Sequence, residues 1–109
     1  MIDVSSVSFD TNGLVPAIIQ NDLDSKVLML AFMNKESLEQ SLISGKCVFW
    51  SRSREQLWLK GETSGNFLNI VSLDIDCDRD ALLVRVIPVG PTCHTGAKSC
   101  FDGNKENHD

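Results

Sequence analysis

A mainly β, α+β domain with one substantial helix is the fold this sequence predicts, on three observations. Residues 26–33 (KVLMLAFM) are continuously apolar and read as a strand covered on both faces. One segment, 34–45, joins a helix-starting residue, an apolar face and a stop signal. From residue 47 onward, short apolar and aromatic runs are punctuated by turn residues.

The elements follow in order. Residues 1–13 are polar and weakly patterned. Residues 14–20 (LVPAIIQ) read as a short strand, and the cluster Asn21-Asp22-Leu23-Asp24-Ser25 as a turn, so 14–33 form a hairpin. Asn34 makes a good helix N-cap, and Glu36 lies in the first turn, near the positive end of the helix dipole. Leu38, Leu42 and Ile43 share one helical face, and Gly45 is the stop. CVFW (47–50) and LWLK (57–60) read as short strands. Residues 66–77 alternate in part, placing Val71, Leu73, Ile75 and Cys77 on one side. Residues around Arg79 connect to a last apolar strand, 81–89. Gly90-Pro91 then opens a loop, and 102–109 read as a disordered polar tail.

Composition narrows the function classes. The chain has 109 residues, enough for a single domain, and 42% hydrophobic with 23% charged residues argues against wholesale disorder. No apolar run approaches a membrane span. The start, MIDVSSVSFD, lacks a basic region followed by an apolar one, so secretion is not expected and a cytoplasmic location is. Ten basic against fifteen acidic residues leave a net charge of −5, a poor match to nucleic acid. In a reducing compartment, the four cysteines are expected as metal ligands or catalytic thiols rather than disulfides.

Three constellations carry possible chemistry. The first is Asp74-Ile75-Asp76-Cys77-Asp78-Arg79-Asp80. In an extended strand its carboxylates would crowd one face, a costly arrangement without a hard cation such as Mg²⁺, Ca²⁺ or Mn²⁺. The alternative is a solvated acidic turn. An EF-hand is rejected: its glycine and glutamate positions hold Arg79 and Arg85 in one register, Ala81 and Ile87 in another. The second constellation is the loop GPTCHTGAKSC, 90–100. Cys93 and Cys100, with Cys77 as a third thiolate, would suit Zn²⁺ with an open position; a disulfide or two unrelated cysteines are the alternatives. His94 reads as a further ligand, a general base, or a loop residue without a role. Cys47 reads as core, and His108 lies in the tail. The third is a basic, hydroxyl-rich island: Trp50, Ser51, Arg52, Ser53, Arg54, then Lys60, Thr63 and Ser64. It suits phosphate, with Trp50 or Trp58 able to stack on a base; an exposed turn with core tryptophans is the alternative.

Together these segments resemble the phosphoribosyl-AMP cyclohydrolase family of histidine biosynthesis. The matching stretches are VLMLAFMNKESL (27–38), FWSRSREQLWLKGETSGN (49–66), DCDRDALL (76–83) and GPTCHTGAKSCF (90–101). The resemblance implies a homodimeric, β-rich pseudo-barrel with sites at the subunit interface. It implies Zn²⁺ on Cys77, Cys93 and Cys100, with thiolates from both chains, and Mg²⁺ on Asp76, Asp78 and Asp80; Asp74 lies outside that motif and its role stays open. The implied reaction opens the adenine ring of phosphoribosyl-AMP between N1 and C6, with water activated at zinc and His94 moving protons. Trp50, Ser51, Arg52, Ser53, Arg54, Lys60, Thr63 and Ser64 are then candidate substrate contacts. Some relatives carry a fused pyrophosphohydrolase, for which this chain is expected to be too short. The expectation is thus one cyclohydrolase domain over 1–109, with its core in 14–101, binding a small molecule and neither nucleic acid nor membrane. A non-enzymatic zinc module with four closed ligands is the rival. A thiol redox protein would normally show C-x-x-C near a βαβ pattern, and neither is present. A single-strand nucleic-acid binder is the third alternative.

Overall fold

The structure is a computed structural model that describes residues 2–102. Six strands and one helix follow a 3₁₀ turn at Val4–Ser6: β1 (Val15–Asn21), β2 (Val27–Met33), α1 (Lys35–Ser44), β3 (Val48–Ser51), β4 (Gln56–Leu59), β5 (Leu68–Ile75) and β6 (Leu82–Pro88). A second 3₁₀ turn, Cys100–Asp102, takes in Asp102 of the expected tail. The rest of that tail, with His108, lies outside the described residues.

The expected hairpin is present, with Ala17 opposite Ala31 in an antiparallel ladder. β6 then pairs with β1 in parallel, Ala17 beside Leu82, and β5 pairs antiparallel with β6, giving the order β2-β1-β6-β5. β3 and β4 form a separate antiparallel hairpin. The expected pseudo-barrel is therefore corrected to two open sheets. The small hairpin joins the large sheet through the Lys46–Asn69 bridge and the bond from Cys47 N to Leu68 O (3.1 Å), and it packs beside β2 without a hydrogen-bonded ladder.

One face of the large sheet carries the core. Val15, Ala17, Ile19, Met29, Ala31, Met33, Leu82, Val84 and Val86 are all buried there, with Leu38 of α1 and Phe49 of β3 packed into the same cluster. The opposite face is open and mixed, with Ile18 and Leu30 beside exposed Arg85 and Asp74. Ile18 is 38% exposed and its cross-strand partner Leu30 51% exposed, so the expected cover on both faces of β2 is missing at Leu30, although Leu28 is buried and Phe32 half-buried.

The helix begins where expected. Ser37 N donates to Asn34 Oδ1 (2.8 Å) and Asn34 N to Ser37 Oγ (2.9 Å), a reciprocal cap that satisfies two backbone donors. Gly45 ends it at φ +76°, in the left-handed region that glycine tolerates. Ile43, expected on the buried face, is 87% exposed; the helix instead buries Ser37, Leu38 and Ser41. Ser41 Oγ accepts from Val48 N (2.9 Å) and donates to Ser37 O (2.8 Å), fastening the helix to β3. A bulge between Ile70 and Ser72 turns Val71 outward, so only Leu73 and Ile75 of the expected row face the core. The N-terminal segment is more ordered than its pattern suggests: Val7 joins the core, and Ile2, Val4 and Phe9 pack against it. No helix among the described residues is long and apolar enough to cross a membrane.

Candidate active site and metal-ligating groups

β5 ends at Ile75, and the acidic run continues as a turn rather than as an extended strand. Arg79 adopts φ +67°, and Asp76 Oδ1 accepts from Asp80 N (2.9 Å) and Ala81 N (3.1 Å). The turn, not strand alternation, brings the carboxylates together. Oxygens of Asp76, Asp78 and Asp80 lie within 4.8 Å of one another, all exposed. Desolvation raises the Asp76 carboxyl, but its hydrogen bond with Asp78 and the backbone N–H groups of Ala81 and Asp80 outweigh this and hold it below the usual range. Asp80 is raised, first by its hydrogen bond with Asp78 and then by desolvation and the charge of Asp78. The donor set is three hard oxygens sharing excess negative charge, which suits a divalent cation. Asp74 sits on β5, opposite Leu83, and is not one of this group.

The cysteine loop folds back on itself: Gly96 N donates to Cys93 O (2.9 Å), Cys93 N to Ala97 O (3.1 Å) and Thr92 N to Lys98 O (3.3 Å). It is pinned to the sheet by Ser99, fully buried, whose hydroxyl donates to Val27 O (2.7 Å) and accepts from Phe101 N (3.0 Å). Lys26 and Asp102 add an ion pair at 2.6 Å. This fold brings Cys93 and Cys100 side by side. The Thr95 hydroxyl, 3.1 Å from Cys93 Sγ, lowers the Cys93 thiol, with Cys100 and Lys60 assisting. Cys100 is raised by desolvation and then by its contact with Cys93. Both thiols are free, and neither forms a disulfide. Cys77 stands apart, exposed in the acidic turn. Among the described residues, the three thiols of one chain do not form a metal-sized group; the three aspartates do.

Cys93 and exposed His94 line a cavity of about 500 Å³ together with Lys60, Thr63, Ser64, Arg54 and Trp58. A second cleft, about 600 Å³, is lined by Trp50, Ser51, Arg52, Ser53 and, again, Arg54 and Trp58. The basic island is thus divided between two clefts that share Arg54 and Trp58. Arg52 is held against the Phe32 ring, 4.0 Å from guanidinium carbon to ring centroid. The first cavity also contains Gln56, Glu62 and Asn66, which sequence reasoning did not single out as site residues. Nothing in their type or spacing marks them; the β4 end and the following turn put them there. Cys47 is buried in the core, where desolvation pushes its thiol up to about 12.

Comparison with known proteins bears on this site. A family model described as phosphoribosyl-AMP cyclohydrolase matches residues 29–102. A Chloroherpeton thalassium protein named phosphoribosyl-AMP cyclohydrolase is 56% identical over 101 residues, which is 93% of this chain and 72% of that protein. Proteins named histidine biosynthesis bifunctional protein HisIE match as well. The one from Photobacterium profundum is 52% identical over 104 residues, covering 94% of this chain and 50% of the relative. The one from Campylobacter jejuni is 58% identical over 98 residues, covering 90% and 47%. The chain therefore spans about half the length of these bifunctional relatives. The family model covers both the acidic turn and the cysteine loop, and the match to the Chloroherpeton protein runs over most of both chains; this chain belongs to the phosphoribosyl-AMP cyclohydrolase family.

Proposed function

We propose that this protein hydrolyses phosphoribosyl-AMP in histidine biosynthesis, opening the purine ring to give phosphoribosylformimino-aminoimidazole carboxamide ribotide. The observation that carries this reading is the pair of clefts sharing Arg54 and Trp58, one of them bearing Cys93 and His94. The substrate has two phosphates and an adenine between them. Arg52 and Ser53 on one side, with Lys60, Thr63 and Ser64 on the other, supply cations and hydroxyls for two separated phosphates. Trp58 and Trp50 offer aromatic faces to the base. Holding both ends immobilises the ring beside His94.

In the reaction a water oxygen bonds to C6, the N1–C6 bond breaks with its electron pair going to N1, and a proton reaches N1. His94 is suited to carry that proton, because it is exposed in the cavity and its ring nitrogens can serve as donor or acceptor. Cys77, Cys93 and Cys100 would hold Zn²⁺, and Asp76, Asp78 and Asp80 would hold Mg²⁺. The thiols suit a soft, borderline cation and the carboxylates a hard one. When bound, zinc supplies a Lewis acid that makes water a better nucleophile.

One chain separates Cys77 from the Cys93–Cys100 pair. That separation supports a homodimer in which the partner completes the thiol set. The exposed pair Ile18 and Leu30 on the open face supplies apolar surface for such an association. The reaction belongs in the cytoplasm, where the thiols stay reduced. A closed zinc module would need a fourth ligand. The remaining cysteine, Cys47, is buried in the core and held protonated, so no observation favours that reading.

The test is turnover of synthetic phosphoribosyl-AMP, followed by the ultraviolet change on ring opening and by the mass gain of one water. Addition of a zinc chelator should stop the reaction and zinc should restore it. Absence of turnover in folded, metal-loaded protein would exclude the reading.

A further inference from the structure

Asn66 lines the cavity that holds Cys93 and His94, and its placement is unusually constrained. Gly61, at φ +95°, lies so close that a Cβ there would sit 2.6 Å from the Asn66 carbonyl carbon and from Phe67 N. Gly90, at φ +115°, approaches the side chain itself: a Cβ there would sit 2.7 Å from Asn66 Oδ1. Real Cβ atoms do not come so near a backbone, so position 61 requires glycine; position 90 favours it through its positive φ, and there the loop leaves room for the Asn66 side chain. The backbone is tied down as well. Gly65 N donates to Gly61 O (2.7 Å), Asn66 N to Ser64 Oγ (3.1 Å) and Val89 N to Phe67 O (2.9 Å).

The side-chain amide, by contrast, takes part in none of the hydrogen bonds among the described residues. A half-buried amide on a cavity wall, without a protein partner and on a fixed backbone, is available to a ligand. The same wall carries a second unmet polar atom: Thr92 Oγ1, in a residue only 1% exposed, has no partner among the described residues.

We propose that Asn66 reads the purine of the substrate, its amide pairing with N7 and the nitrogen on C6; the inference rests on the activity proposed above. The chemistry of the base selects this edge. N1 carries the phosphoribosyl group, so the Watson–Crick edge is blocked. The edge left free presents an acceptor at N7 beside a donor on the C6 nitrogen. An asparagine amide offers the complementary donor and acceptor side by side and is the usual bidentate partner of that edge. Arg54 and Lys60 of the cavity are donors only, suited to phosphate. Gln56 has the same amide, but it is the exposed first residue of β4, without glycines closed upon it. Fixing N7 and the C6 nitrogen fixes the ring plane, and with it the position of C6 relative to His94.

The test compares phosphoribosyl-AMP with its 7-deaza analogue, in which N7 becomes C–H, on the wild-type protein and on Asn66→Asp. Aspartate keeps the size of the residue and removes the N–H donor. Wild type is expected to lose ~10–100-fold in kcat/KM on the analogue. Asn66→Asp should lose a comparable factor on the natural substrate and show no further loss on the analogue. Wild type indifferent to the analogue would overturn the inference, and this arm needs no variant to fold. An equal analogue penalty in wild type and variant would overturn it too, because N7 would then be read by another group. Wild type inactive on phosphoribosyl-AMP itself is a different outcome: it removes the proposed activity and this inference with it.

Discussion

At the scale of single residues, the four cysteines divide by environment. Cys47 is sealed in the core and its thiol is pushed from 9.0 up to about 12. The unfolded chain loses this proton near the ordinary value, while the folded chain keeps it. The stabilisation is therefore fully present below about pH 9 and is lost as pH rises toward 12, with a slope approaching ~1.4 kcal/mol per pH unit. Urea unfolding between about pH 8 and about pH 11 should show that decline in wild type and a shallower one in Cys47→Ala. His94 belongs to the opposite class, exposed and facing the cavity. His94→Ala should leave the zinc content unchanged and lower kcat by ~10²–10⁴-fold, read by metal analysis beside steady-state rates. Loss of zinc in that variant would make His94 a ligand instead. The chemistry-bearing residue types were legible in the sequence because a carboxylate, thiol or imidazole announces what it can do. Asn66 was not: an amide has no signature until Gly61 and Gly90, far apart in sequence, are seen to close upon it.

At the scale of elements, local signals were legible where a single side chain decides the backbone. Asn34 and Gly45 mark the helix ends by mechanisms that need no distant contact, and the turn cluster before β2 fixes the first hairpin. Patterns that depend on counting residues failed where the count was broken. The bulge at Val71 breaks the expected row at that residue, leaving Val71 48% exposed while Leu73 and Ile75 keep to the core side. The acidic run likewise clusters through a turn, with Arg79 at positive φ, which alternation does not foresee. The cysteine loop hangs on one buried contact, Ser99 to the carbonyls of Val27 and Leu28. Ser99→Ala should cost ~1–2 kcal/mol in stability and leave a buried carbonyl without its donor. Because Cys93 and Cys100 ride on that loop, zinc affinity should fall ~10–100-fold, measured by competition with a chromophoric chelator. Unchanged affinity would show that the loop holds its shape without the anchor.

At the scale of the whole molecule, strand partners were the least legible feature. The parallel pairing of β1 with β6 sets Ala17 beside Leu82, and nothing in two apolar runs states that they will meet. The resulting sheet is open and one face of it leaves Ile18 and Leu30 uncovered, while the thiols of one chain stand in two places. The proposal that two copies associate, each completing the other's metal site, would account for both features. Subunit complementation tests this most directly. Cys77→Ala and Cys93→Ala chains are each prepared alone, then mixed, unfolded and refolded together, and assayed on phosphoribosyl-AMP. Each variant alone should be inactive, and the mixture should recover about a quarter of wild-type activity, because half the dimers are mixed and each mixed dimer has one intact site of two. A mixture as inactive as its components, beside an active wild type refolded in the same way, would contradict the two-chain site.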